Sequence, residues 1–125
     1  MPGISTWRDL KVWQKAHELT LLTYKVTKQF PSDEKFGLSS QMRRAAVSVA
    51  SNIVEGFHRR TVRESLNFYN MAGGSLEELR YQYVLSSDLG YVSRDMYAHA
   101  EKVAEEVSKM LMAWVLSQRS HISQS

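Results

Sequence analysis

Three arginines crowd the stretch His58-Arg59-Arg60-Thr61-Val62-Arg63, and Lys11 and Lys15 place two ammonium groups one helical turn apart near the start of the chain. Cations at this density suit phosphate, because guanidinium groups offer forked N–H donors and every phosphate neutralised releases counterions. No base-reading motif accompanies them, so the chemistry on offer is recognition of backbone and shape. A solvated arginine-rich loop without a ligand is the plainer reading of the same residues. Glu55-Gly56-Phe57-His58 has the Glu-x-x-His spacing of di-iron bundles, but that chemistry needs two such pairs and two further inward glutamates. Only one pair exists, with a glycine inside it, and His17, His99 and His121 each stand alone. No metal or other cofactor is expected. Glu77-Glu78 and Glu105-Glu106 are neighbours in sequence and diverge on a helix, which defeats acid–base cooperation. The chain has no cysteine, which excludes a disulfide framework, thiolate-bound metal and a cysteine nucleophile. It also lacks a glycine-rich phosphate loop and a nucleophile elbow. The expectation is a protein that is not an enzyme.

The hydrophobic spacing supplies helices to carry these groups. From Trp7 to Phe30, Val12, Ala16, Leu19, Val26 and Phe30 share one helical face, with Thr23 interrupting it; Thr6 caps the start and Pro31 stops the end. Trp13, Thr20, Tyr24 and Thr27 lie beside that face, and Leu10 and Leu21 further round. The arc is too wide for one neighbour, so Trp13, Leu21 and Tyr24 are expected at a contact between subunits. The second segment, Leu38 to Phe57, carries Leu38, Met42, Ala45, Val49 and Ile53 at helical spacing. Small residues such as Ala46, Ser48 and Ala50 let a neighbour approach closely. The third runs from Val62 to Leu89, opened by the capping pattern Thr61-Val62-Arg63-Glu64 and closed by Gly90. Val62, Leu66, Tyr69, Leu76 and Tyr83 form its stripe. Gly73-Gly74 inside it costs about 1 kcal/mol per glycine, and a close helix crossing is the expected compensation. The fourth starts at a Ser93 cap and runs to about Gln118, with Met96, Ala100, Val103, Val107, Met110 and Trp114 inward. Glu101, Lys102, Glu105, Glu106 and Lys109 form an outer face expected to be solvated, and residues from Arg119 on a frayed, flexible tail.

The joints are short, so successive helices should reverse direction. The predicted architecture is all-α: a single-domain, antiparallel, up-down-up-down four-helix bundle. At 125 residues, one domain with a packed interior is the expected size. Net charge is +3, and the chain reversals would polarise it. One pole would gather Arg8, Lys11, Lys15, Arg59, Arg60, Arg63 and Arg119 against Asp9, Glu55 and Glu64. The other would balance Lys25, Lys28, Lys35 and Arg94 against Asp33, Glu34, Asp88 and Asp95. Asn52 and Arg44 read as structural polar residues, with Asn52 capping or bridging to the third helix and Glu55 pairing with Arg59. No apolar run is long enough to span a membrane, and Met1-Pro2-Gly3-Ile4 lacks the features of a signal peptide. A soluble, cytoplasmic protein is expected.

Several motifs resemble those of a known family. Leu10-Lys11-Val12-Trp13-Gln14-Lys15-Ala16, then Gln41-Met42-Arg43-Arg44-Ala45-Ala46-Val47-Ser48, then Ser51-Asn52-Ile53-Val54-Glu55-Gly56 resemble the bacterial 23S rRNA intervening-sequence proteins. Gly74-Ser75-Leu76-Glu77-Glu78-Leu79 and Asp88-Leu89-Gly90-Tyr91 are similar to the family's third helix and its exit. The likeness spans about Leu10 to Gln118, with Ala50 standing where members often carry proline. It implies a four-helix fold, a ring-shaped homopentamer and genes often embedded in large-subunit rRNA intervening sequences, and it brings no catalytic residues. Related accessory proteins of diversity-generating retroelements are similar bundles that bind nucleic acid and a reverse transcriptase.

The function expected from all this is a ring-forming, non-enzymatic protein associated with RNA or DNA, with Lys11, Lys15, Arg59, Arg60 and Arg63 on phosphate. A protein-interaction scaffold or accessory subunit without a nucleic-acid role is the alternative. A di-iron enzyme comes third.

Overall fold

The computed structural model describes residues 4–124, with side chains over residues 4–120. The expectations resting on Met1 to Gly3 and on the His121 side chain lie outside the described residues. Four α-helices account for the chain, and no strand occurs among the described residues: α1 Lys11–Thr27, α2 Leu38–Phe57, α3 Val62–Asp88 and α4 Arg94–Gln124. Two short 3₁₀ turns, Trp7–Asp9 and Ser32–Glu34, precede α1 and α2.

The first helix is shorter than its apolar pattern, for local reasons. Thr6 and Asp9 close a turn of their own: Asp9 Oδ2 accepts from the Ser5 and Thr6 amides at 3.1 and 3.2 Å, and Thr6 Oγ1 accepts from the Arg8 amide at 3.0 Å. Leu10 then leaves helical geometry at φ −73°, ψ 121°, and α1 begins after it. At the other end Lys28 to Phe30 turn ahead of Pro31, which disfavours helical geometry in the residue before it. The last helix is longer than expected. It passes Gln118 and reaches Gln124, since no glycine or proline interrupts Arg119 to Gln124.

Each helix packs on two others, α1 on α2 and α4, and α3 on α2 and α4. The interior is made by the expected stripes: Val12, Ala16, Leu19, Val26 and Phe30 of the first segment, and Leu38, Met42, Ala45, Val49 and Ile53 of α2, are all buried. Tyr69, Leu76 and Tyr83 join them from α3, and Ala100, Val103 and Val107 from α4, where Ala104 and Leu111 are buried as well. Thr23, the break in the first stripe, is fully buried. Its Oγ1 donates to the Leu19 carbonyl at 2.8 Å and meets the Tyr83 hydroxyl at 2.7 Å, joining α1 to α3 through the core.

Two expectations about packing are corrected. Gly73-Gly74 does not mark a close crossing: a Cβ on Gly74 would meet nothing within 4 Å, and one on Gly73 only Leu111 Cδ2 at 3.8 Å. The tight approach is at Gly56, where a Cβ would fall 2.5 Å from Tyr69 Cε1. The outer face of α4 is not simply solvated either. Arg80 of α3 pairs with Glu101 and Glu105 as well as Glu77, and Lys15 of α1 pairs with Glu106 at 2.9 Å. These carboxylates tie α4 to both of its neighbours.

Both ends of α3 follow their sequence signals. Thr61 Oγ1 accepts from the Glu64 amide at 3.2 Å and donates to Glu64 Oε1 at 3.0 Å. Gly90, at φ 79°, terminates the helix: its amide donates to Ser87 O at 3.0 Å while the Tyr91 amide reaches back to Ser86 O at 2.9 Å. Ser93 Oγ accepts from the Met96 amide at 3.1 Å and caps α4.

Candidate functional site

The arginine-rich joint turns between the end of α2 and the start of α3, and a depression of about 480 Å³ opens there. Arg59, Arg60 and Thr61 line it with Ile4 from the start of the chain and Trp114 and Gln118 from α4. Segments far apart in sequence therefore share one surface with two of the five predicted cations. The indole N–H of Trp114 is buried, and its ring packs edge-on against Tyr69 with centroids 6.3 Å apart. Ser65, also on the wall, is committed inward, donating to the Gly56 carbonyl at 2.6 Å.

The predicted cations differ in how far they are already satisfied. Arg59 pairs with Glu55 at 3.0 Å and lies over the Phe68 ring at 4.9 Å, which fixes its guanidinium. Arg60, Arg63 and Lys11 are exposed and form no ion pair among the described residues. Lys15 is claimed twice, by Glu106 at 2.9 Å and Glu18 at 3.2 Å. Those carboxylates raise the Lys15 pKa, and Lys15 in turn lowers that of Glu106. Lys15 is thus an α1–α4 link, a role that sequence reading missed because Glu106 lies far along the chain. Arg8, counted at the same pole, rests on Trp7 with its guanidinium 4.3 Å from the ring centroid.

The remaining candidates have structural partners. The Glu55 carboxylate is taken by Arg59, and His58 sits edge-on to Phe57. Among the described residues no three His, Cys, Asp or Glu side chains are grouped to hold a metal. Asn52 donates to Ser48 O at 2.8 Å and Ser48 Oγ at 3.0 Å, both within α2, and it is Ser48 Oγ that meets Ser75 Oγ of α3 at 2.8 Å, so Asn52 supports the bridge to α3 and does not form it. Of the residues expected at a subunit contact, Leu21 is 59% exposed and Tyr24 is partly covered by the Arg43 guanidinium, 4.8 Å from its ring centroid. Trp13 is half-buried, edge-on to Trp7 and stacked on His17. No helix among the described residues is long and apolar enough to cross a membrane.

A family model for 23S rRNA-intervening sequence proteins matches residues 8–113, most of the chain, taking in α1 to α3 and the greater part of α4. The chain belongs to that family. The intervening-sequence protein is also similar in fold to a solved structure, a protein of unknown function from the S23 ribosomal protein family of Bacteroides thetaiotaomicron. The two superpose with a TM-score of 0.78 at 23% identity, over 83% of this chain and 97% of the other. At that identity the likeness speaks for the fold alone. Among curated proteins, none matches the chain.

Proposed function

We propose that this intervening-sequence protein is a non-enzymatic, ring-forming bundle that associates with RNA in the cytoplasm through its arginine-rich pole. The observation that carries the reading is the depression at the α2–α3 joint. Arg59 and Arg60 line one concave surface there, and their guanidinium groups offer forked donors suited to phosphate oxygens. Arg63 and Lys11 add unpaired charge at the same pole. Lys15, held by two carboxylates, serves the α1–α4 joint more than the ligand. A family named for its place within 23S rRNA makes RNA the natural polyanion.

The pole exists only if successive helices reverse, and the pairings support an antiparallel, up-down-up-down course. Thr20 meets Ala46 while Thr27 meets Arg43; Met42 meets Ser86 while Gly56 meets Ser65; Arg80 meets Glu101 while Tyr69 meets Trp114. In each pair of helices, partners recede on one as the other advances. The exposed side of α1, with Leu21 at its centre flanked by Trp13 and Tyr24, is the proposed subunit contact. A ring of such subunits, five in the family's manner, would join the poles into one annulus, where affinity grows with each phosphate neutralised.

The test is RNA binding across a salt series for the unmodified chain and for Arg59→Gln/Arg60→Gln/Arg63→Gln. Affinity that falls with salt, and a clear loss in the triple variant, support the reading. Identical binding by the two proteins would end it. The scaffold alternative is favoured by one observation, the open groove along α3 and α4 where Gly74, Met112 and Leu116 lie exposed. A protein partner that survives nuclease treatment would support it.

A further inference from the structure

Away from Arg59, the first half of α2 carries Arg43 and Arg44. Both line a cleft of about 590 Å³ between α1 and α2, together with Lys35, Phe36 and Tyr24. A second depression adjoins it, sharing Arg43 and Lys35 and adding Lys28. No carboxylate lines either one. The nearest acid in sequence, Glu34, is turned away: Oε2 accepts from the Tyr91 hydroxyl at 3.0 Å, and Oε1 accepts from the Leu38 amide at 3.1 Å. Three cations therefore line each of two adjoining depressions, four in all, with no carboxylate among the described residues of their walls.

The aromatic component is equally specific. Phe36 is 89% exposed at the turn before α2, where burial gives it no reason to be aromatic, and the Lys35 ammonium lies 5.5 Å from its ring centroid. Arg43 is held flat. Its Nε donates to Thr27 Oγ1 at 2.8 Å and its guanidinium lies over Tyr24, so its charge faces the cleft from a fixed position. Arg44 is exposed and forms no ion pair among the described residues. A fixed cation, exposed cations and an open aromatic face are what an unpaired nucleic-acid strand requires: phosphates track the charge and a base stacks on the ring.

We propose that the α1–α2 cleft binds a single-stranded segment of nucleic acid, with its phosphates on Lys35, Arg43 and Arg44 and one base stacked on Phe36. The site shares no residue with the Arg59–Arg60 depression, and with the proposed subunit contact it shares only Tyr24, whose ring lies under the Arg43 guanidinium. Duplex nucleic acid does not fit the same description, since its bases are already stacked and offer Phe36 nothing.

Fluorescence anisotropy with a labelled single-stranded homopolymer, beside a hairpin duplex of equal charge, tests the proposal on the full-length chain. Phe36→Ala should weaken single-strand binding by about 5- to 150-fold, the range for losing one base–aromatic stack, with the salt slope unchanged and the duplex unaffected. Arg44→Gln should instead lower the single-strand salt slope by about 0.7, one phosphate contact. Both residues are exposed, so neither substitution disturbs the core. Single-strand binding unchanged in both variants would overturn the proposal and, because Arg59, Arg60 and Arg63 are intact in them, would leave the pole reading standing. Equal weakening of strand and duplex by Phe36→Ala would overturn the stacking role. Unchanged strand binding with loss of self-association in light scattering would assign the cleft to a second copy of the chain and refute a nucleic-acid ligand.

Discussion

The Thr23–Tyr83 contact carries a prediction whose size follows from the geometry. Thr23 Oγ1 spends its proton on the Leu19 carbonyl, so at 2.7 Å from Tyr83 it must accept, and the phenol donates. Thr23→Val keeps the shape and removes the acceptor, leaving a phenol donor buried at 1% exposure without a partner. Stranding a buried donor costs about 1–3 kcal/mol. Tyr83→Phe strands only a lone pair on an oxygen whose proton is still used, and should cost about 0.5–1.5 kcal/mol. With both changes, the hydroxyls leave together and apolar surfaces of nearly the original shape remain. The double variant should therefore be more stable than the sum of the single losses implies, with a coupling of roughly 0.5–3 kcal/mol. Urea denaturation of the four proteins, followed by circular dichroism, measures this. Strictly additive losses would show that the two hydroxyls do not interact, and the account of the Thr23 interruption would fall.

Burial pushes the Tyr83 phenol up to about 12 from its ordinary 10.0. The folded state thus holds this proton where the unfolded chain releases it, so stability is intact below pH 10 and declines as pH rises toward 12; Tyr83→Phe should flatten that decline in alkaline denaturation. The two glycine contexts predict opposite signs. Gly74→Ala, with open space around the new methyl, should stabilise by about 0.5–1 kcal/mol, whereas Gly56→Ala drives a Cβ into the Tyr69 ring and should lower the melting temperature despite alanine's better helix propensity. Glu106 has its pKa lowered by Lys15, so the α1–α4 link is present above the ordinary value of 4.5 and is lost as pH falls through the depressed one; Glu106→Gln should remove that part of the acid sensitivity seen by thermal denaturation. If Leu21 lies at the proposed subunit contact, Leu21→Glu should lower the mass measured by light scattering, and an unchanged mass would count against that contact.

Periodicity located the four helices because each stripe is a local property of consecutive residues. All five apolar residues expected on α2 are buried, and the signals at Thr61, Gly90 and Ser93 act where they stand. What stayed illegible depends on partners distant in the chain. Thr23 reads as a flaw until Tyr83 is placed opposite it. Gly56 reads as a weak helix end until the Tyr69 ring lies against it, and Gly73-Gly74 reads as a crossing that no helix makes. The arginine joint was visible as composition, but a charge count treats Lys15 and Arg60 alike. Only the fold separates a lysine held by two carboxylates from an arginine without one. Phe36 and Arg43 carry no such signal, because nothing in their spacing predicts a shared cleft.

The salt dependence of RNA binding tests the central claim most directly. Compared with the unmodified chain, the Arg59→Gln/Arg60→Gln/Arg63→Gln variant should bind more weakly, and its plot of log affinity against log salt should be shallower by about 2 for a single strand, three contacts at about 0.7 each. Equal slopes and equal affinities in the two proteins would mean that the arginine pole touches no phosphate.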